Sequence, residues 1–388
     1  MFAYGIFKVI YAPHKAFREI IKNPRYIGPI LIMILFIASN MAFVYTVISK
    51  TYIEQTLPTA EQRDKWTENS TLWTTIVGEP PKENYIDYIE GTYYGNKSIE
   101  FSTVNNKQIS MQLNYTESVS CSGPDDYKDL SLRIKWTSPS SSPENVTIYL
   151  FSGNSSDYFY YSLTENFSSS TDNVWNNITI SLGTESWTSS SASSNWGDIT
   201  GLKLEFAWPD VSDITLLVDG LFFRGVFRSP VERDAAKYLF NYSLLGFMQF
   251  IIKWVFLGGL LYIMIKVLGA KTVWRPSLIL VGFALITMFI QGVINTATFS
   301  TLPRIYYRLE FMGGVSGESE RAFNTILEET RLASQISSYV QIGVYVWTIA
   351  LCALAIRLLA EFSWSKCVVV AIVAYFASVL MESFILGI

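Results

Sequence analysis

The chain has 388 residues, 50% of them hydrophobic and 16% charged, and its formal net charge is −4. A net acidic chain gives no support to nucleic-acid binding, which needs a basic surface. The one histidine and three unpaired cysteines exclude a zinc site built from these residue types. The sequence also has no phosphate loop, no GxGxxG and no GxSxG motif, so we expect no enzymatic activity.

The strongest signal in the sequence is a set of five apolar stretches, because a membrane-crossing helix needs about 20 mostly apolar residues. We predict spans at residues 27–49, 243–268, 277–299, 339–356 and 367–388. The loop at 300–338 should contain a helix that starts near Glu318 and continues toward the fourth span. This loop and the large polar block after the first span lie on the same side of the membrane, so they are able to dock on each other.

Residues 1–26 form a basic leader before the first span. Pro13 suits a helix start, and Phe17, Ile20 and Ile21 fall on one helical face. This pattern predicts a short amphipathic helix on the inner membrane surface. The alternative is an ordinary cytosolic lead-in to the first span. Because the apolar region of a cleaved signal peptide has only about 7–15 residues, we predict an uncleaved anchor.

Lysine and arginine are concentrated on one side of the predicted spans. The leader and the two loops on its side hold ten basic and two acidic residues, whereas residues 50–242 hold 14 basic and 25 acidic residues. Basic residues near span ends remain cytoplasmic. We therefore predict a multi-pass protein of the cell membrane with a cytoplasmic N-terminus. The large polar block and the C-terminus would then be extracytoplasmic.

Eight Asn-x-Ser/Thr sequons lie in the polar block, and none lies in a predicted cytoplasmic loop. They begin at Asn69, Asn96, Asn114, Asn145, Asn154, Asn166, Asn177 and Asn241. Their placement agrees with the charge argument, and we expect that some of them carry N-linked glycans. Of the three cysteines only Cys121 lies in this block, so no disulfide can form within it. The lack of extracellular disulfides and the prokaryotic character of the helices favour an archaeal cell envelope.

Residues 129–225 alternate apolar and polar side chains in short segments, with Ser, Gly, Pro and Asn between them. This alternation is typical of half-buried strands and predicts two packed sheets. We predict an all-β sandwich at 95–228, inserted after the first span between linkers at 50–94 and 229–242. The stretches WNNITISL and NWGDITGLKLEFAWPDVSDITLLVDGLFFRG resemble the C-terminal half of a galactose-binding-like jelly roll, a fold that occurs in carbohydrate-binding modules.

Two sets of residues in the sandwich are candidates for binding. Trp187 and Trp196 flank a Ser/Thr-rich loop, and we predict that their rings are exposed and stack on sugars; the alternative is core packing. The jelly-roll resemblance implies a structural calcium ion held by Asp219 in the last strand, with Glu100 as its partner. The alternative is that Asp219 accepts hydrogen bonds in the turn before Gly220.

Two charged residues lie inside the predicted spans. A charge at the bilayer centre costs roughly 2.5–3.5 kcal/mol on insertion scales, so it is expected to face a partner or water. Lys253 and Glu382 lie at depths that differ by about 6 Å, and we predict that they pair across the bundle. Such a pair either holds helices together or belongs to a conduction path or substrate cavity.

Without the insert, the five spans resemble the Yip domain family of five-span membrane proteins. The resemblance rests on the leader YAPHKAFREIIKNPRYIGPILI, on LYIMIKVLGAKTVWRPSLILVGFALITMFI and on YVWTIALCALAIRLLAEFSWSKCVVVAIVAYF. It implies a non-enzymatic role in membrane organisation or trafficking. The acidic-aromatic N-terminal motifs of eukaryotic members are absent, so small-GTPase binding is not carried over to this chain.

Together these patterns predict a non-catalytic integral membrane protein. Its jelly roll would bind a glycan or an envelope protein, and its helices would anchor or organise a complex with other membrane proteins in the lipid bilayer. The alternative function is that of an accessory subunit of a transporter or channel, which would use the polar groups inside the spans.

Overall fold

The computed structural model describes residues 2–168, 170–183 and 185–387. The chain forms two compact units. A helical unit contains the residues up to Thr51, then Ser229–Ile305 and the residues from Leu327 onward, and a strand-rich unit contains Tyr52–Arg228 and Tyr306–Ile326. The predicted fold class, a five-helix membrane bundle with an all-β sandwich inserted after its first helix, is confirmed.

Ten α-helices occur in the described residues. They are α1 Phe2–Tyr11, α2 Pro13–Lys22, α3 Ile27–Lys50, α4 Thr164–Ser168, α5 Pro230–Val267, α6 Trp274–Ala284, α7 Ile286–Ser300, α8 Leu309–Met312, α9 Glu318–Ala360 and α10 Trp364–Leu386. Five segments in the same residues are long and apolar enough to cross a membrane, namely α3, Asp234–Val267 of α5, α6 with α7, α9 and α10. As predicted, α9 begins at Glu318 and runs without a break into the fourth span.

Two helix contacts show why small residues occur where the spans meet. An added Cβ atom at Gly28 of α3 would come within 2.0 Å of the Phe283 ring, and one at Gly282 of α6 would lie 2.5 Å from Pro29. Only glycine therefore allows α3 and α6 to approach this closely. The helix α5 begins with a capping box, in which Ser229 and Glu232 satisfy each other's backbone N–H groups.

The leader forms two helices that pack into the bundle. Ile6 and Val9 of α1 and Ala16 and Phe17 of α2 are buried in the same hydrophobic core as the spans. Helix α2 begins at Pro13, as the sequence predicts. Its Ala16 and Phe17 are buried against the bundle, whereas Ile20 and Ile21 are only partly buried. A position of this helix at the membrane surface stays a prediction.

Eleven β-strands occur in the described residues, most of them in the strand-rich unit. They are β1 Thr51–Leu57, β2 Trp73–Val77, β3 Lys82–Asn84, β4 Ser98–Val119, β5 Asp129–Ser138, β6 Asn145–Ser152, β7 Asn154–Ser162, β8 Asn176–Ser181, β9 Thr188–Ser189, β10 Ile199–Arg228 and β11 Ile305–Tyr307. Strands β4 and β10 pair along most of their length, but their register shifts between Ala207 and Ile214. This interruption divides the hydrogen-bonded network into two sheets.

The first sheet has the order β2, β4, β10, β6, β7, β9 and uses residues 199–207 of β10. The second sheet has the order β3, β4, β10, β5, β8 and uses residues 214–224 of β10, whose C-terminal end also pairs with β1. Alternate residues of both sheets, including Leu130–Trp136 of β5 and Val146–Leu150 of β6, belong to one buried core. The two sheets therefore pack face to face.

The other face of the second sheet is covered by two segments of chain. Ile89, Tyr94 and Phe222 form a small buried cluster there with Leu309 of α8. The predicted docking of the 300–338 loop is thus present for its residues 306–326, which belong to the strand-rich unit.

Buried ion pairs fix this covering segment. Arg224 contacts Glu54 through Nε and Nη2, both at 2.9 Å, and Glu310 through Nη1 at 2.7 Å. The backbone N–H of Leu309 also donates to Glu54 at 2.7 Å. Burial alone would raise the pKa of Glu310, but its hydrogen bonds to Arg224 lower it. A second pair joins Arg133 to Glu318 at 2.6 Å.

The substitution Arg224→Met should lower the free energy of unfolding of the strand-rich unit by about 3–5 kcal/mol, because Glu54 would remain buried without a cation. Chemical denaturation followed by the β-sheet circular dichroism signal measures this loss. Lys97→Met is the matched control, since it removes a more accessible pair with Glu83 and should cost less than about 1 kcal/mol. Equal losses in the two variants would contradict the role of Arg224.

Candidate functional site

The structure places the predicted sugar-stacking tryptophans inside the sandwich. Trp187 and Trp196 are only 5% and 8% exposed and belong to its core. The Trp196 ring stacks on Phe159 with centroids 4.0 Å apart, and Trp187 Nε1 donates to the Ser181 carbonyl at 2.9 Å. The prediction that both rings are exposed is wrong, because β9 pairs with β7 and turns the intervening loop back onto the sheet.

Half-buried and exposed aromatic residues lie instead on the uncovered face of the first sheet. Tyr149 of β6 and Tyr158 and Tyr160 of β7 point away from the core, and Tyr160 is 39% exposed. Their ring centroids lie 5.6 to 6.4 Å apart. We call this surface, together with Gln112, Lys203 and Glu205, the tyrosine face.

The register of the strands places the tyrosine face in one continuous row. Thr74, Gln112, Lys203, Tyr149, Tyr160 and Thr188 are successive cross-strand partners on six adjacent strands. With about 4.8 Å between neighbouring strands, this row is roughly 24 Å long. It presents aromatic rings at one end and hydrogen-bonding amide, ammonium and hydroxyl groups along its length.

Charged side chains order the middle of this row. Lys203 Nζ lies 4.0 Å from the centroid of the Tyr149 ring and 2.9 Å from Glu205 Oε2. Partial burial, followed by the charge of Glu205, raises the pKa of the Tyr149 hydroxyl, which therefore stays protonated at neutral pH. Gln112 Nε2 donates to Asn114 Oδ1 at 2.8 Å. The row can thus both donate and accept hydrogen bonds.

The sequences of β6 and β7 contain a signal for the tyrosine face. In β6 and β7 the core residues Ile148, Leu150 and Phe159 alternate with tyrosines, so the outward positions are aromatic where polar residues are usual. Neither strand alone distinguishes a binding surface from a second buried face. Only the pairing of β6 with β7 brings the tyrosines together.

The calcium residues predicted from the jelly-roll resemblance have other partners. Glu100 accepts a hydrogen bond from Asn84 at 2.7 Å. Asp219 accepts from Thr67 Oγ1 at 3.2 Å and from the backbone N–H groups of Ile89 and Gly220 at 2.7 and 2.8 Å. Among the described residues, no group of three or more His, Cys, Asp or Glu side chains could hold a metal ion. These partners are donors, so the residues around Asp219 and Glu100 do not fit calcium, which needs about six to eight oxygen ligands.

Asp219 instead forms a buried pair with Asp64. Both carboxyl groups are fully buried, and Asp64 Oδ2 accepts from the Gly220 N–H at 2.5 Å. Burial raises the pKa of Asp64 to about 6. Burial and the nearby charge of Asp64 raise the pKa of Asp219 well above its usual range. The two acids therefore hold protons at mildly acidic pH, where exposed aspartates are ionised.

The two charged residues of the spans are neighbours in the helical unit. Lys253 Nζ of α5 lies 3.0 Å from Glu382 Oε2 of α10, and the two residues are 7% and 5% exposed. Gln249, one turn before Lys253, donates to Glu382 Oε1 at 2.8 Å. Lys253 also lies 5.5 Å from the centroid of the Tyr375 ring. This geometry joins α5 to α10 through a buried polar cluster.

Seven of the eight sequon asparagines are exposed, and the eighth, Asn69, is half-buried. Six of the exposed sequon asparagines belong to the sandwich, and the seventh, Asn241, lies on α5. Asn114 lies beside the tyrosine face. Glycosylation of these residues stays a prediction.

The Asp64–Asp219 pair should make the sandwich more stable at pH 5 than at pH 8. A carboxyl group whose pKa is raised by folding stabilises the fold below its unfolded pKa, near 4, and this contribution is lost as the pH rises through the folded value, about 6 for Asp64. A shift of this size is worth about 3 kcal/mol in total, of which about 1.4 kcal/mol is lost between pH 5 and pH 8. Asp219→Asn should reduce this pH dependence and raise stability at pH 8, as measured by denaturant unfolding at both pH values. The exposed Asp125→Asn is the control and should reproduce the wild-type difference. The same behaviour in Asp219→Asn would refute the raised pKa values of the pair.

Glu382→Gln should destabilise the detergent-solubilised bundle by about 3 kcal/mol, because Lys253 would remain buried without its anion. The double variant Lys253→Met/Glu382→Leu should recover most of this loss, since no buried charge remains. Thermal unfolding of the purified chain measures both effects. A double variant that is less stable than Glu382→Gln would argue against a structural pair.

No curated protein matches this chain. Among solved structures, the chain is similar to a family 11 carbohydrate-binding module from Clostridium thermocellum, in complex with a β-1,3-1,4-mixed-linked tetrasaccharide. The identity is 15%, the TM-score is 0.28, and the match covers 44% of this chain and 94% of the module. It is also similar to a β-1,2-glucanase from Parabacteroides distasonis, with 16% identity and a TM-score of 0.29 over 41% of this chain. That match covers only 25% of the length of the glucanase.

The family comparison matches the second half of the chain. The Yip1 domain model matches residues 193–384, which include the last strand of the sandwich and the four spans that follow it. The leader and first span, which also resemble that family in sequence, lie outside the matched range. This chain is therefore a multi-pass membrane protein that carries a Yip1 domain.

Proposed function

We propose that this protein is a non-catalytic membrane receptor that binds a glycan through the tyrosine face of its sandwich, while its helical unit anchors or organises a membrane complex. The observation that carries the proposal is the row of Tyr149, Tyr160 and Lys203 on the uncovered face of the first sheet. The flat C–H faces of sugar rings pack on aromatic rings, and their hydroxyl groups bond to amide, ammonium and carboxylate groups.

The size of the tyrosine face favours an extended glycan over a single sugar. A row of roughly 24 Å accommodates several linked sugar rings side by side. Only the Tyr end is strongly aromatic, so the glycan would be held by stacking at that end and by hydrogen bonds to Lys203, Glu205 and Gln112 along the rest. An envelope protein is the alternative ligand of the same surface.

The orientation of the chain is part of this proposal. The basic residues at one end of the spans support a cytoplasmic N-terminus and an extracytoplasmic sandwich, where glycans of the cell surface occur. The alternative function, that of an accessory subunit of a transporter or channel, has less support. The pairing of Lys253 with Glu382 and Gln249 favours a structural role for the polar groups of the spans.

The full chain in nanodiscs should bind members of a glycan array, and Tyr149→Ala or Tyr160→Ala should weaken that binding at least about tenfold, which corresponds to 1.4 kcal/mol. Tyr85→Ala is the matched control, because Tyr85 is an exposed tyrosine of the same unit outside the tyrosine face. An N-glycan on Asn114 would cover part of the surface, so all variants carry Asn114→Gln. Glycan binding that survives both tyrosine changes would refute the site. If the chain binds no glycan on the array but retains an envelope protein, the ligand of the tyrosine face is a protein.

A further inference from the structure

The end of the bundle that carries most of the basic residues contains an apolar cleft. A cavity of about 520 Å³ lies between the end of α5 and the start of α10, a size within the usual range of ligand pockets. It is lined by Ile263, Met264, Val267 and Leu268 on one side and by Ser365, Lys366, Val369 and Val370 on the other. We propose that this cleft binds an anionic phospholipid, with one acyl chain in the cleft and the headgroup at Lys366.

The apolar part of the cleft faces the surroundings of the bundle. Ile263, Val267 and Val369 are 57%, 79% and 59% exposed, although all three are apolar and lie in or next to the spans. Apolar side chains at this position in a membrane helix contact lipid. An acyl chain is therefore the ligand that matches this lining.

The lining of the cleft is almost wholly apolar, so the headgroup would be selected at its rim. Ser365 and Lys366 are the only polar residues among those that line it, and both lie in the first turn of α10. A lysine can line a cleft with its apolar stem and leave its ammonium group at the rim. The positive end of the α10 dipole adds to the attraction of an anion.

The wider charge distribution favours the same ligand. Lys266, Lys271, Arg275 and Arg357 lie at this end of the spans, with Glu361 as the neighbouring acid. Basic pockets between membrane helices on the cytoplasmic side are typical sites for anionic lipid headgroups. The proposed orientation puts this end of the bundle at the cytoplasmic leaflet, but the proposed lipid contact itself depends only on the cleft and its charge.

Native mass spectrometry of the full chain in detergent should detect retained phosphatidylglycerol in preference to phosphatidylcholine with the same acyl chains. Lys366→Gln should reduce the occupancy by phosphatidylglycerol about fivefold, the effect of one basic residue near an anionic headgroup. Lys271→Gln is the matched control, because it removes the same charge from the same end of the bundle but outside the cleft, and it should reduce the occupancy less.

Val369→Trp should fill the cleft and displace the lipid, whereas Val373→Trp, one turn further along α10, should not. Photoactivatable phosphatidylglycerol with a reactive group on its acyl chain should label peptides that contain residues 263–268 and 365–370 in the wild-type chain. This measurement needs no variant, so it tests the proposal even if the variants fail to fold. Equal retention of the two lipids, unchanged retention in Lys366→Gln and Val369→Trp, or labelling elsewhere would overturn the proposal. A dimer that dissociates in Val369→Trp would show that a second copy of the chain occupies the cleft instead.

Discussion

Inside a bilayer every backbone N–H and C=O group has to be paired within the protein, because there is no water to accept or donate in its place. This constraint decides the form of the helical unit. It leaves helices as the only structure for five separate apolar stretches. It also requires that the polar groups freed by the interruption of the third span at Leu285 find other partners. There the Thr287 hydroxyl donates to the Ala284 carbonyl at 3.2 Å and also contacts Thr348 at 2.6 Å, so side chains satisfy polar groups at the break.

The same requirement governs charged groups in both units. In the bundle, Lys253 has an anion and Glu382 has two partners, so neither charge is left alone in an apolar environment. In the sandwich, Arg224 contacts two carboxylates at once, and one of them also accepts a backbone N–H. Removing one member of such a cluster leaves a buried charge without a partner, which lowers the free energy of unfolding strongly. The intact cluster, by contrast, stabilises a fold little or no more than well-packed apolar residues of the same volume would. Each buried charge in these clusters therefore has to lie beside its partner, which restricts how the elements that carry them pack.

The parts of the structure that follow from local patterns could be predicted from the sequence. Composition alone locates the spans, and period-two alternation locates the strands that build the core, such as Leu130–Trp136. The contacts that the sequence does not predict depend on pairing between distant segments of the chain. Trp187 and Trp196 occur in a loop-like sequence, yet the β7–β9 pairing buries them. Asp219 meets Asp64 from a segment 155 residues earlier in the chain, and no local pattern indicates that contact. The polar Lys253–Glu382 contact was accessible to prediction because the bilayer restricts both residues to similar depths.

The two faces that the sandwich presents outward are chemically different, and this difference supports a binding role for one of them. The second sheet has its outer face covered by Ile89, Tyr94 and Leu309, so its apolar residues on that side are protected from water. The first sheet has no such cover among the described residues, yet its outward positions hold three tyrosines and a lysine over one of the rings. Half-buried aromatic residues on an open sheet face gain nothing from core packing, whereas they provide stacking area with little conformational freedom to lose. An uncovered aromatic row next to hydrogen-bonding side chains is suited to a ligand that combines apolar faces with many hydroxyl groups.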